Sequence, residues 1–282
     1  MADTENQLNS FRRWVRDQQP ILNSIDTDEF LLRFLRITNF NLDNAKEWLV
    51  RFWKHRTENP QWFTDRDLLK NPVMCEIAAT AYYLQLPKET KSKEHIAIMR
   101  MACHDPTKYS LDDVTKYAFA VTDILNRQEN VQTHGFIILL DLSDVKLHHI
   151  SQFTPDRTHR YVDCWEKMYP VKLNQIHFYN YPRIFDPILH LFRMFLSRKI
   201  SEKLFLHPKT SGESTNKALH QYIDPSLLPA EYGGQLGPIE DVNKTFIQWV
   251  KQQNYYILQL DQYSVDPKQA SKILKTMQNE QD

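Results

Sequence analysis

Along the first 85 or so residues the apolar positions recur at helical spacing. In Glu29–Arg36, Phe30, Leu31, Phe34 and Leu35 share one side, with Asp26 or Thr27 upstream as candidate N-caps. A second stretch puts Leu42, Ala45, Trp48, Leu49 and Phe52 on one stripe and keeps Lys46, Glu47 and Arg51 off it. Such helices need each other, or a neighbouring domain, to bury their aromatic faces. From about residue 92 the pattern changes to short apolar runs separated by helical segments, which predicts a mixed α/β unit. Strands are predicted over 95–101, 135–142, 173–179 and 203–207, and helices over 110–128, 155–168, 184–200 and 240–260. Thr210 to Asn216 reads as a polar loop, and Gly233, Gly234, Gly237 and Pro238 mark a turn that closes the α/β part.

The segment 184–200 carries more apolar surface than one buried face needs. Phe185, Ile188, Leu189, Phe192, Phe195 and Leu196 form its stripe, and Leu191 and Met194 add apolar surface beyond it. A helix of this kind is either deeply buried or shared between an internal cavity and apolar surroundings outside. Arg198, Lys199 and Lys203 follow it, and Lys172 stands just before the preceding strand. Apolar surface flanked by cations is what an anionic membrane favours, each well-placed cation contributing about 1 kcal/mol there. Cations also suit a helix C-terminus, and for Arg198 alone that plainer reading is preferred.

Composition narrows the remaining classes. The 282 residues hold 35 Lys+Arg against 35 Asp+Glu, so any anionic partner must be met locally and no nucleic-acid partner is expected. That length allows one large domain or two smaller ones. The five glycines, Gly135, Gly212, Gly233, Gly234 and Gly237, form no phosphate-cradling GxGxxG or GxxxxGK loop. Cys75, Cys103 and Cys164 are odd in number and include no CxxC pair, which points to a reducing, cytoplasmic setting without disulfides or structural zinc. The start, MADTENQLNSFRRW, is polar, its Ala2 stands where myristoylation needs glycine, and apolar runs such as Phe136 to Leu140 fall far short of the roughly 20 residues that span a bilayer. A soluble, peripherally membrane-associated protein is expected.

The search for reaction chemistry yields no candidate. No HExxH, GxSxG or kinase-type HRD with DFG is present. His148, His149 and His159, near Asp144 and Asp156, invite a metal reading, but adjacent histidines rarely aim at one ion and a surface loop is favoured. Cys164, one residue before Trp165 on a predicted helix, reads as a buried core thiol rather than a nucleophile. No catalytic residue, metal or cofactor is expected, and the protein is read as a non-enzyme.

Several segments together resemble the CRAL-TRIO lipid-binding family. They are Asp28–Arg36 with Phe40–Ala45, Gly135–Leu142, Tyr169-Pro170-Val171-Lys172 leading into Leu173–Asn180, and Leu228-Pro229-Ala230-Glu231-Tyr232-Gly233-Gly234. Within the family the chain resembles the branch of alpha-tocopherol transfer protein, retinaldehyde-binding protein and the clavesins, with their arthropod relatives. The resemblance implies an N-terminal helical domain over 1–85 and, over 86–282, an α/β domain whose mixed sheet floors a lipid cavity closed by a mobile gate helix, here 184–200. It implies a cargo of one hydrophobic small molecule, tocopherol-, retinoid- or carotenoid-like, moved between membranes by a monomer. The alternative is a phosphoinositide-binding adaptor whose cavity lipid is structural.

The same resemblance implies site residues. Strand alternation alone puts Phe136, Ile138 and Leu140 on one face of the central strand, chosen for the cavity over Ile137 and Leu139. The resemblance adds Phe153, Tyr161, Trp165, Val171, Ile176 and Phe178, with Phe185, Leu189, Phe192 and Phe195 from the gate. It places phosphoinositide binding on Lys172, Lys199 and Lys203. Asn174 departs from the pattern, where a second basic residue is expected, and leaves the cleft one charge poorer. Arg33 or Arg36 either adds a charge from the leader or serves as a structural ion-pair partner.

Overall fold

In the computed structural model, which describes residues 2–210 and 214–279, the chain opens with helices α1 (Ala2–Asp17), α2 (Asp28–Ile37), α3 (Leu42–Glu58), α4 (Pro60–Phe63) and α5 (Pro72–Ala79). The short strand β1 (Leu22–Asn23) falls between α1 and α2. Strands β2 (Tyr83–Gln85) and β3 (His95–Arg100) lead to α6 (Leu111–Leu125), α7 (Glu129–His134) and the central strand β4 (Phe136–Asp141). Then come α8 (Leu147–Ile150), α9 (Pro155–Asp163), a π-helical turn over Cys164–Met168, and β5 (Leu173–Tyr181). Helices α10 (Asp186–Phe195) and α11 (Arg198–Ser201), strand β6 (Leu204–Pro208) and α12 (Ser214–Leu219) complete the α/β part. The C-terminal segment holds α13 (Ile239–Gln252), α14 (Asn254–Leu260), β7 (Ser264–Val265) and α15 (Pro267–Asn279).

One sheet runs in the order β2-β3-β4-β5-β6, antiparallel at its first pair and parallel elsewhere. Strands β3 and β4 are near-continuous apolar runs because both faces are covered, which is why they could be read from sequence. β2 has three residues and β1 and β7 two each, too short to show alternation, so the sequence reading misses them. The predicted helix over 155–168 ends as a π turn, with Tyr169 N–H bonding to Cys164 O at 2.8 Å. The predicted helix over 184–200 breaks at Leu196 and Ser197, where Ser197 Oγ accepts from Ile200 N–H and starts α11. Of the polar loop expected over 210–216, Ser214 onward is helical, and residues 211–213 lie outside the described residues.

The N-terminal helices join through aromatic rings: Phe30, Phe34, Phe52 and Trp53 contact one another with centroids 5.0–5.8 Å apart. The C-terminal segment returns to this bundle, with β7 paired to β1 and α15 packed on α3. Arg33 is buried, donates to Tyr256 Oη at 2.9 Å and lies over the Phe30 ring. Arg36 pairs with Glu129 at 2.6 Å, so both leader arginines serve as structural partners.

At the centre stands Asp123 on α6, 1% exposed. Its Oδ2 accepts from Arg56 of α3 at 2.8 Å and from Arg66 at 2.6 Å, and Arg66 also bonds Asp261 at 2.5 Å. Burial alone would raise the Asp123 carboxyl, but the two guanidiniums hold it below its ordinary range. Asp123→Asn leaves two buried arginines short of a counter-charge, and unfolding free energy measured in urea is expected to fall by about 3–5 kcal/mol. A loss below 1 kcal/mol would show that the network is dispensable.

Candidate ligand-binding site

One face of the sheet floors an apolar cavity. Strand alternation aims Met99, then Met101 just past the end of β3, at it, together with Ile138 and Leu140 of β4, Ile176 and Phe178 of β5, and Leu204 of β6. The opposite wall comes from Phe153 just before α9, Tyr161 and Val162 of α9, Trp165 and Glu166 of the π turn, Phe185 and Phe192 around α10, and Leu196 and Ile200 beyond it. The enclosed volume is about 120 Å³. Phe192 sits across it against Phe153 (centroids 5.8 Å) and edge-on to Tyr161 (6.2 Å).

Of the residues expected on this wall, Ile138, Leu140, Phe153, Tyr161, Trp165, Ile176, Phe178, Phe185 and Phe192 are brought together on it. Phe136, Val171, Leu189 and Phe195 are not, which corrects the sequence reading in four places. Phe136 lies beside the His95 ring, ahead of a register shift between Phe136 and Ile137. Val171 is buried in the turn after Tyr169, Leu189 packs in the core, and Phe195 stacks on His159 at 4.7 Å. The sequence reading missed Tyr82, Tyr83, Met99, Met101, Leu111, Glu166 and Leu173 among others. Met99 and Met101 alternate along a predicted strand and were findable, whereas Tyr82 and Tyr83 flank and open a three-residue edge strand and gave no periodic signal.

Helix α10 is covered on one side only. Ile188 and Leu189 are buried, while Met194 is 65% exposed and neighbouring Ile184 is 44% exposed. Hydrogen bonds mark both ends: Tyr181 Oη donates to Asp186 Oδ1 at 2.5 Å, and Ser197 N–H donates to Glu166 Oε1 at 2.7 Å.

Beyond α10, Lys172 and Lys199 are exposed and Lys203 is half-buried. Partial burial, then the charges of Lys199 and Lys172, push the Lys203 ammonium below its ordinary range. Lys203 Nζ donates to the Leu173 carbonyl, and among the described residues none of the three has a carboxylate partner, whereas Arg198 pairs with Glu202 at 2.7 Å. Gly135 brings Lys172 close: at φ +79° it allows an approach in which a Cβ would stand 2.4 Å from the Lys172 carbonyl oxygen. Asn174 Nδ2 donates to Glu94 Oε1 and to the His134 carbonyl, both at 2.7 Å, so the departure at this position is built into the fold.

The other candidate chemistries resolve into packing. His149 Nδ1 accepts from Lys146 N–H, His159 lies 3.5 Å from Asp163, and among the described residues no group of histidine, cysteine or carboxylate side chains could hold a metal. Cys164 Sγ is 2.9 Å from His55 Nε2. Burial pushes the thiol well up and the imidazole down to about 4, so a neutral S–H meets a neutral ring and no thiolate forms. The ending Leu228–Gly234 clamps the sheet, with Tyr232 Oη donating to Asp141 Oδ2 at 2.8 Å and Glu231 accepting from Ile239 N–H at 3.0 Å. Among the described residues no helix is long and apolar enough to cross a membrane.

Known proteins resemble the chain along most of its length. Residues 80–234 match the CRAL/TRIO domain, and residues 1–73 match the Pinta-like UBA domain. The chain is 30% identical over 233 residues to the alpha-tocopherol transfer protein-like protein of Homo sapiens, covering 83% of this chain and 66% of that relative. It is 27% identical over 238 residues to Clavesin-2 of Mus musculus, covering 80% of this chain and 68% of that relative. The crystal structure of Sfh5 superposes with a TM-score of 0.61 at 13% identity, covering 92% of this chain and 96% of Sfh5, which shows the shared fold.

The buried imidazoles make stability depend on pH. On the sheet face opposite the cavity, His177 bonds His207 at 2.9 Å and Gln175 at 2.8 Å, and burial, then His207, push it down to about 3. His55 and His177 therefore stay neutral in the fold and take up protons once unfolded. Their stability contribution is complete above about pH 6.5, the unfolded value, and each loses up to about 1.4 kcal/mol per pH unit on acidification below it. Urea unfolding between pH 7 and pH 5 is expected to show this slope, and His177→Gln to make it shallower; a flat profile would contradict the assignment.

Proposed function

The chain belongs to the CRAL/TRIO domain family, and on that footing we propose that it binds a single hydrophobic small molecule between sheet and gate helix and carries it between membranes. The observation that carries this reading is the apolar cavity closed by α10, a helix with one face inward and Met194 exposed on the other. A volume near 120 Å³ is on the scale of the roughly 150 Å³ cavity that admits benzene, so a larger lipid needs Phe192 and its helix to move aside. Burying about 20 carbons contributes on the order of 16 kcal/mol gross at roughly 0.8 kcal/mol per methylene, which makes release into water slow. A membrane that binds the open gate shifts the population towards release.

Lys172, Lys199 and Lys203 supply the membrane contact in this proposal, as the cluster beside the gate that no carboxylate neutralises among the described residues. A phosphoinositide headgroup fits three cations better than a singly charged lipid does. With Asn174 and Glu94 alongside, the cluster is a shallower trap than one with a fourth cation.

Charge reversal tests the model. Lys172→Glu with Lys199→Glu, sparing Lys203 because it holds the Leu173 carbonyl, is expected to slow lipid transfer to phosphoinositide vesicles about tenfold or more, at about 1 kcal/mol per cation lost and more for reversal. Affinity for lipid in solution should stay within twofold. Unchanged transfer would remove the membrane step, and vesicle binding that is identical with and without cargo would favour an adaptor whose cavity lipid is structural.

A further inference from the structure

Between α10 and the lysine cluster lies a two-residue break, Leu196-Ser197, whose backbone is extended at both positions (φ −71°, ψ 136° and φ −62°, ψ 155°). Ser197 is exposed. Its Oγ accepts from Ile200 N–H at 3.4 Å, and among the described residues its own hydrogen has no acceptor. Arg193 precedes it and Arg198 and Lys199 follow it directly, in the run Arg193-Met194-Phe195-Leu196-Ser197-Arg198-Lys199. An accessible hydroxyl on extended backbone, flanked by cations, matches the charge pattern by which a basophilic protein kinase selects a serine. Ser201, four residues on, is a contrast: it is half-buried inside α11 and its neighbour is Glu202.

A short chain of contacts ties Ser197 to the lysines. Its carbonyl accepts from Ser201 N–H at 2.9 Å, the Ile200 carbonyl accepts from Lys203 N–H at 2.9 Å, and Lys203 Nζ donates to the Leu173 carbonyl, next to Lys172. Six residues at a helical rise of 1.5 Å place the Lys203 backbone within about 9 Å of Ser197, close to the roughly 8 Å over which charges interact at physiological salt. On the other side, Ser197 N–H donates to Glu166 Oε1 at 2.7 Å. A phosphoryl group on Oγ is repelled by that carboxylate and drawn to the lysines, which have no carboxylate partner among the described residues. Its charge of about −1.5 to −2 at neutral pH cancels half or more of what Lys172, Lys199 and Lys203 present.

We propose that Ser197 is a phosphorylation site for a basophilic protein kinase, and that its phosphate withdraws the lysine cluster from anionic membranes. Oγ attacks the terminal phosphorus of ATP, its proton passes to the kinase's carboxylate base, and the new O–P bond forms as the bond to ADP breaks. This rests on reading the three lysines as the membrane contact. The full chain carrying phosphoserine at 197, installed during synthesis, is compared with the unmodified chain by sedimentation with vesicles of phosphatidylcholine and phosphatidylinositol bisphosphate. At about a factor of five per cation, the phosphorylated chain should bind about ten- to thirtyfold more weakly at physiological salt, and high salt should narrow the gap. Basophilic serine kinases with MgATP should place phosphate on Ser197 of the unmodified chain, read by mass spectrometry, and reproduce the loss; the same treatment of Ser197→Ala should not change its vesicle binding. Equal binding with and without the phosphate overturns the proposal, as does a Ser197 that these kinases leave untouched. A deficit that high salt does not narrow also overturns it, being the mark of a disturbed fold rather than of cancelled charge. If the unmodified chain binds these vesicles no better than plain phosphatidylcholine, the membrane reading of the lysines fails and this proposal falls with it.

Discussion

A carboxylate removed from water can persist only beside opposite charge, and Asp123 is held that way by Arg56 and Arg66. The pair of arginines comes from the N-terminal bundle, the carboxylate from α6, and Asp261 from the C-terminal segment closes the set. Three parts of the chain distant in sequence are thereby fixed against one another before the cavity is considered. Phe119, four residues and so about one turn away on α6, stacks on Phe63 and Tyr161, so the same helix that carries the buried charge also supports the cavity wall. The cavity-facing side of the sheet inherits its geometry from this frame.

The gate is held by weaker means. Hydrogen bonds at Tyr181–Asp186 and Glu166–Ser197 mark its ends, and Phe192 packs on aromatic neighbours rather than into a charged lock. Exchanging such contacts for equivalent ones with a bilayer or a ligand costs little, whereas opening the Asp123 network would strand buried charge. The floor of the cavity and helix α10 are thus held by different interaction types placed on different elements.

Sequence made legible those features that rest on long patterns. Strands β3 and β4 appeared because their runs are apolar on both faces, and Lys172, Lys199 and Lys203 appeared as charges beside an apolar helix. Short elements and local geometry did not appear. The gate's apolar pattern continues through Leu196, so nothing in its spacing announced the break that Ser197 caps. Phe136 shares the alternation of Ile138 and Leu140, yet a register shift at the start of β4 leaves it off the wall. Asn174 read as a missing charge, and its bonds to Glu94 and the His134 carbonyl give it a positive structural role.

The balance of 35 cations against 35 anions, combined with lysines gathered on one side of α10, has a consequence for how the molecule approaches a charged surface. A body without net charge feels little pull in a uniform field, but an uneven charge distribution experiences a torque. At physiological salt that field is confined to about 8 Å from the surface, so the molecule arrives by unbiased diffusion and is turned only on close approach. Orientation, rather than attraction from afar, is what such a charge pattern supplies beside any anionic surface.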